Sequence, residues 1–208
     1  MKRGATKAAP AKHRGRGRRR RWSPFLVGLA GLGLAGVVVG LVLLLRSGGN
    51  SSGPQSQQAS VAGSEFRIVA YQGDDQLGGH DTQFSRVTRQ GKPVVLNFFA
   101  GQCPPCRAEM PGFQRVADDF QGKAIFVGLD VGPYVQLGSH QDAQNLLREL
   151  HIRYAAGYAV DPNPLTTYQV QAMPTTIIFD ASGQQVFKAN GIMTESQLRT
   201  QLAKLTSQ

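Results

Sequence analysis

Two cysteines, Cys103 and Cys106, are the only ones in the chain, and they stand one helical turn apart at a boundary between two kinds of sequence. Before them runs Val94-Val95-Leu96-Asn97-Phe98-Phe99-Ala100, the pattern of a strand buried on both faces. After them, residues 104–120 read as a helix, with proline tolerated in its first turn and Pro111 expected to kink it. That order limits what the pair can be. Cys103 falls at a helix N-terminus, where unpaired N–H groups and the helix dipole favour negative charge. Thiols in such places titrate at roughly 3.5–7.5 instead of about 8.5. Cys103 is therefore expected to be an exposed nucleophile, and Cys106, one turn on, a shielded thiol that resolves a mixed disulfide. Other readings remain open at this point. The pair could be half of a metal site, an inert disulfide or two incidental buried thiols, although no second Cys pair or Cys-His spacing completes four ligands.

The net charge of +10 suggests a nucleic-acid binder until it is divided along the chain. Ten Lys/Arg and no acid lie in residues 1–24, Arg46 adds one, and the remainder holds twelve Lys/Arg against thirteen Asp/Glu. The basic character belongs to a tail, and no nucleic-acid partner is expected. Residues 25–45 carry no charge and are long enough, as a helix of about 30 Å, to cross a hydrocarbon core. The run is longer than a signal-peptide core and ends in Leu-Leu-Leu-Arg, so an uncleaved anchor is expected. The basic flank places the tail in the cytoplasm and the following domain outside, with Trp22 at the interface. Residues 46–64 read as a flexible linker. The expected organisation is thus a tail at 1–24, a transmembrane helix at 25–45, a linker at 46–64 and one domain at 65–208.

Within that domain, residues 66–71 suggest a strand and 73–79 a loop. Residues 124–130 form a second apolar strand, whose helical crossover from 94–100 makes the two parallel. Ser139 and Asp142 resemble a capping box opening a helix with Ala143, Leu146, Leu147 and Leu150 on one face. A Pro/Asn-rich stretch at 161–165 follows, with a helical turn reaching Tyr168. Residues 175–180 form a third strand, 180–183 a turn and 184–189 a returning strand. Thr194 caps a last helix with Leu198, Leu202 and Leu205 inward. The fold class is α/β: a small central sheet with helices on both faces.

The segment Val94 to Pro111, with its Cys-Pro-Pro-Cys, and the later Met173-Pro174-Thr175-Thr176 together resemble the TlpA/ResA-like branch of the thioredoxin superfamily. The resemblance implies a thioredoxin-like fold with a mixed sheet, no cofactor and no metal. It implies a membrane-tethered thiol–disulfide oxidoreductase acting on protein thiols and disulfides, and a membrane electron donor that re-reduces it. Cytochrome c maturation and copper-site assembly are the pathways it suggests. By the same resemblance Cys103 and Cys106 are the redox-active disulfide and Pro174 is a cis-proline facing it. Glu109, three residues after Cys106, is the acid kept beside the site, while Asn97 stands where thioredoxins proper carry a buried aspartate. Gln102, Pro104, Pro105, Met173 and Thr175 are the expected substrate contacts. Gln102 departs from the pattern, since that position is usually tryptophan. His140 and His151 are expected to be surface or capping residues. A copper chaperone using the same cysteines and a thioredoxin-fold peroxidase are the alternatives; the second lacks its expected threonine, with Ala100 in that place.

Overall fold

A computed structural model describes residues 65–207. The basic tail, the apolar span and the linker expected from the sequence lie outside the described residues. Among the described residues no helix is long and apolar enough to cross a membrane.

The chain order is β1 (Arg67–Gln72), α1 (Asp74–Leu77), β2 (Asp81–Gln83), α2 (Phe84–Thr88), β3 (Val94–Phe99), α3 (Pro104–Asp119), β4 (Ile125–Asp130), α4 (Gly132–Val135), α5 (His140–Glu149), β5 (Ala155–Ala159), α6 (Asn163–Thr167), β6 (Thr175–Phe179), β7 (Gln185–Asn190) and α7 (Glu195–Thr206). The strands form one mixed sheet in the order β2-β1-β5-β4-β3-β6-β7. β3 lies parallel to β4 and antiparallel to β6, and β4 lies parallel to β5. All six residues of β3 are buried, as its unbroken apolar run requires.

β3 divides its side chains between two cores. Val95 and Phe99 face a cluster with Met110 and Phe113 of α3, Leu146 and Leu147 of α5, and Leu198 and Leu202 of α7. Val94, Leu96 and Phe98 face the other cluster, with Phe84, Tyr168 and Phe179. The three longer helices therefore share one face, and the short elements α1, α2 and α6 attend the other. The sequence reading had helices on both faces without that asymmetry. Its physical reason is that β3→β4 and β4→β5 step across the sheet in the same direction, so crossovers of one hand put α3 and α5 on the same side.

The capping boxes opening α5 and α7 are formed as expected, Ser139 with Asp142 and Thr194 with Gln197. α3 continues through Pro111, which lacks the N–H that would pair with the Arg107 carbonyl. Residues 73–79, expected as loop, contain the single turn α1. β5 is an addition to the sequence reading. Its sequence Ala-Ala-Gly-Tyr-Ala has neither an apolar run nor clear alternation, and β1 selects it by close approach. A Cβ at Gly157 would overlap the Val69 carbonyl and crowd Ala70, so only glycine lets these two strands pair here.

Candidate functional site

The β3–α3 junction delivers the cysteines. Cys103 is the N-cap of α3, Pro104 and Pro105 fill the first turn, and the Cys103 sulfur accepts the Cys106 backbone N–H at 3.2 Å. The two sulfurs are joined as a disulfide. The incoming loop is held by Cys103 N–H to the Ala100 carbonyl at 3.3 Å and Gln102 N–H to the Leu137 carbonyl at 2.8 Å. Cys106 is fully buried, as its shielded role requires. Cys103 departs from the exposed position expected of it: only 3 % of it is accessible. The disulfide turns its sulfur onto Cys106 and into the core, and what remains open faces two grooves.

One groove, of about 430 Å³, is bounded by Cys103, Pro104, Pro105, Val135, Leu137 and Met173, and is mainly apolar. The other, of about 530 Å³, runs along Gln102, Cys103, Pro104, Arg107, Asp142 and Glu149. Its wall is polar: Arg107 pairs with Glu149, and Gln102 Nε2 lies 3.4 Å from Asp142 Oδ2. The Ser139 hydroxyl and backbone N–H, then Gln102, hold the Asp142 carboxyl below the usual range. Gln102 thus leans on the α5 cap.

Met173, in the loop before β6, lines the apolar groove with Cys103, and Pro174 beside it is buried. The Met173–Pro174 peptide is cis. Thr175 does not serve as the surface contact expected of it. It is fully buried, and its hydroxyl donates to the Ala172 carbonyl at 2.7 Å and lies 3.1 Å from Asn190 Oδ1. As the first residue of β6 it turns into the sheet and shapes the loop instead of lining it.

Glu109 lies behind the disulfide, on the buried side of α3. It is 4 % exposed; Asn97 Nδ2 donates to Oε1 at 2.7 Å and Met193 N–H donates to Oε2 at 2.6 Å. Burial pushes the carboxyl up to about 7 against the pull of those two donors. A buried carboxyl that titrates near neutrality can hold or release a proton at working pH. Asn97, read as unable to accept a proton itself, is the residue that holds the carboxyl. Met193 was not legible, because it reaches Glu109 only through the chain reversal before α7.

A second polar cluster was missed by the sequence reading. Asp130 ends β4 fully buried; its Oδ2 accepts from the Tyr71 hydroxyl at 2.8 Å and lies 2.7 Å from His140 Nδ1, and its Oδ1 accepts Gly132 N–H at 2.8 Å. Burial and the Asp130 charge hold the Tyr71 hydroxyl well above its ordinary range. His140 does lie at the surface and starts α5, but it also pins that helix to the sheet. An acid closing an apolar strand was the available signal. Among the described residues there is no group of His, Cys, Asp and Glu arranged to hold a metal ion.

The described residues thus form a mixed sheet with a disulfide at the N-terminus of α3, faced by the loop that carries the cis Met173–Pro174 peptide. Residues 66–201, well over half of the chain, match the AhpC/TSA family. The chain belongs to that family. Among its named relatives, it is 27 % identical over 118 residues to the thiol-disulfide oxidoreductase ResA of Bacillus cereus, covering 56 % of this chain and 65 % of that one. It is 28 % identical over 110 residues to ResA of Bacillus subtilis, covering 52 % and 59 %. The chain thus spans just under two thirds of the length of these relatives. Among solved structures it superposes on a putative thiol:disulfide interchange protein DsbE from Chlorobium tepidum with a TM-score of 0.57 at 19 % identity, covering 69 % of this chain and 94 % of that one. StoA from Bacillus subtilis gives a TM-score of 0.53 at 19 % identity, covering 66 % and 96 %. At such identities the structures establish a shared fold.

Proposed function

We propose that this family member is a membrane-anchored, extracytoplasmic thiol–disulfide oxidoreductase that exchanges disulfides with protein partners through Cys103 and Cys106. The observation that carries the reading is the Cys103–Cys106 disulfide capping α3, with the open edge of Cys103 between two grooves. In the reduced protein the Cys103 thiolate attacks a sulfur of a partner disulfide, and the first partner thiolate leaves. Cys106 then loses its proton to Glu109 and attacks Cys103, which expels the second partner thiolate and re-forms the intramolecular disulfide. The partner gains two electrons, and the pair loses two. Pro174 and Met173 form the wall along which the partner backbone lies, and Gln102, Pro104 and Pro105 border the entry.

The activity for which the ResA relatives are named supports this chemistry. Residues 25–45 would hold the domain 65–208 outside the cytoplasm on the linker 46–64, with the tail 1–24 inside. A membrane electron donor would restore the dithiol, and the resemblance points to reduction of partners in cytochrome c maturation or copper-site assembly. A peroxidase reading gains nothing from Ala100, which offers no hydroxyl near Cys103.

The test is a glutathione redox titration of the full chain in detergent, followed by thiol labelling and mass measurement. A single two-electron transition is expected, and Cys103→Ser should abolish exchange with a protein disulfide. Undiminished exchange by that variant would remove the assignment.

A further inference from the structure

The exchange chemistry makes no use of the buried Asp130, yet the partners of that side chain lead back to Cys103. A fully buried carboxyl is costly unless its oxygens are bonded, and those of Asp130 are. Its partners come from three elements: Tyr71 of β1, Gly132 of α4 and His140 of α5. Of these, only Tyr71 belongs to the sheet. The other two open separate paths to the residues before Cys103.

One path is a chain of hydrogen bonds. Gly132 N–H donates to Asp130 Oδ1 at 2.8 Å, Leu137 N–H to the Gly132 carbonyl at 3.0 Å, and Gln102 N–H to the Leu137 carbonyl at 2.8 Å. The second path ends in a close contact. His140 Nδ1 lies 2.7 Å from Asp130 Oδ2 and ties down the start of α5. Against that start the backbone at Gly101 packs so closely that a Cβ would stand 2.4 Å from the Ala143 nitrogen. The two paths also touch. A Cβ at Gly132 would stand 2.9 Å from the Gly138 carbonyl oxygen, and one at Gly138 would stand 3.0 Å from Gln102 Cγ. Each path carries one wall beside the disulfide: Val135 and Leu137 bound the apolar groove, Asp142 and Glu149 the polar one.

We propose that Asp130 is a positioning residue for partner recognition: it fastens the α4 turn and the start of α5, and so sets both grooves that flank Cys103 for a protein segment. This rests on the exchange role given to Cys103 above. Being fully buried, Asp130 cannot touch the partner; it acts through Leu137 and through α5. The sheet is held without it, because β4 is paired along one edge to β3 and along the other to β5 by backbone bonds. The bonds to Gly132 and His140 fasten segments that lie outside the sheet. With both segments in place beforehand, the partner does not have to order them, and that ordering would otherwise be subtracted from its affinity. A small dithiol such as dithiothreitol spans neither groove and gains nothing from the arrangement.

The experiment reads single amides by NMR hydrogen exchange in the oxidised full chain in detergent, and turnover of the reduced chain with insulin as the protein disulfide. In Asp130→Ala the Gln102 and Leu137 amides should exchange about tenfold faster, the equivalent of one lost buried hydrogen bond, while Val127 and Leu129 of β4 change less. KM for insulin should rise about tenfold with kcat within about twofold, the pattern of lost binding that is uniform along the reaction. Tyr71→Phe removes a bond to the same carboxyl outside both paths and should move neither reading. Unmoved Gln102 and Leu137 amides overturn the proposal. So does equal acceleration in β4, or the same changes in Tyr71→Phe, either of which reduces Asp130 to a support of the fold. Loosened amides with an unmoved KM overturn it too, since the grooves would then not seat the partner. Where Asp130→Ala does not fold, His140→Ala cuts the α5 path at a half-buried residue; it should speed the Ala143 amide and raise KM about threefold, and no change in either overturns the proposal. A parent chain that does not reduce insulin removes the exchange reading, and the amides alone then decide whether Asp130 positions the two segments.

Discussion

Replacing Glu109 with glutamine keeps the side-chain shape and removes the ionisation, which isolates the energetic cost of a charge behind the disulfide. The carboxyl moves from an ordinary 4.5 up to about 7 on folding, driven first by burial. The native state therefore retains a proton that the unfolded chain has already released. Stability from this group is complete below about pH 4.5, declines as pH rises, and is lost once pH passes about 7. A shift of about 2.5 units at about 1.4 kcal/mol each comes to about 3.5 kcal/mol, of which about 3 kcal/mol falls between pH 4.5 and 8.5. The glutamine variant has no such loss. Its new Nε2 would confront two donors, but Asn97 can turn its unpartnered Oδ1 towards it and leave Met193 N–H bonded to Oε1. Urea unfolding of the oxidised full chain, read by far-UV circular dichroism between pH 4.5 and 8.5, measures the difference. The two chains should be close in stability at pH 4.5, and the variant should be more stable by up to about 3 kcal/mol at pH 8.5. The lowered carboxyls of Asp81, Glu149 and Glu195 titrate in both chains and cancel. A difference that stays constant across this range would refute the reasoning, because it would mean that Glu109 is ionised, or protonated, to the same extent folded and unfolded.

Three further outcomes are expected. Cys106→Ser should accumulate a mixed disulfide between Cys103 and a protein partner, visible as a mass adduct that dithiothreitol removes; a variant that turns over freely would show that Cys106 does not resolve the intermediate. Leu137→Glu places a charge in the apolar groove beside Cys103 and should raise KM for a protein disulfide about tenfold, the cost of about 1.4 kcal/mol, while leaving the reaction with dithiothreitol unchanged. Gly157→Ala forces a methyl into the β1 backbone and should destabilise the fold by about 3 kcal/mol in chemical denaturation, and a loss below 1 kcal/mol would mean that β1 and β5 can part without penalty.

The sequence by itself determined the strand–Cys-Pro-Pro-Cys–helix junction, because an unbroken apolar run, a helix-start proline and a cysteine spacing of one turn are local properties. It also determined the capped starts of α5 and α7, where Ser139 with Asp142 and Thr194 with Gln197 close their hydrogen bonds within four residues. Tertiary structure decided the rest. β5 exists as a strand because Gly157 lets β1 approach, which no local pattern of small residues can announce. Glu109 acquired its proton affinity from burial, and its two donors, Asn97 and Met193, come from 12 residues behind and 84 ahead in the chain. Thr175 lost its expected place on the surface because β6 runs antiparallel to β3 and turns that hydroxyl inward, against Ala172 and Asn190. Chemistry written in adjacent residues survives folding unchanged, whereas burial and the partners of a buried charge are set only when distant strands come together.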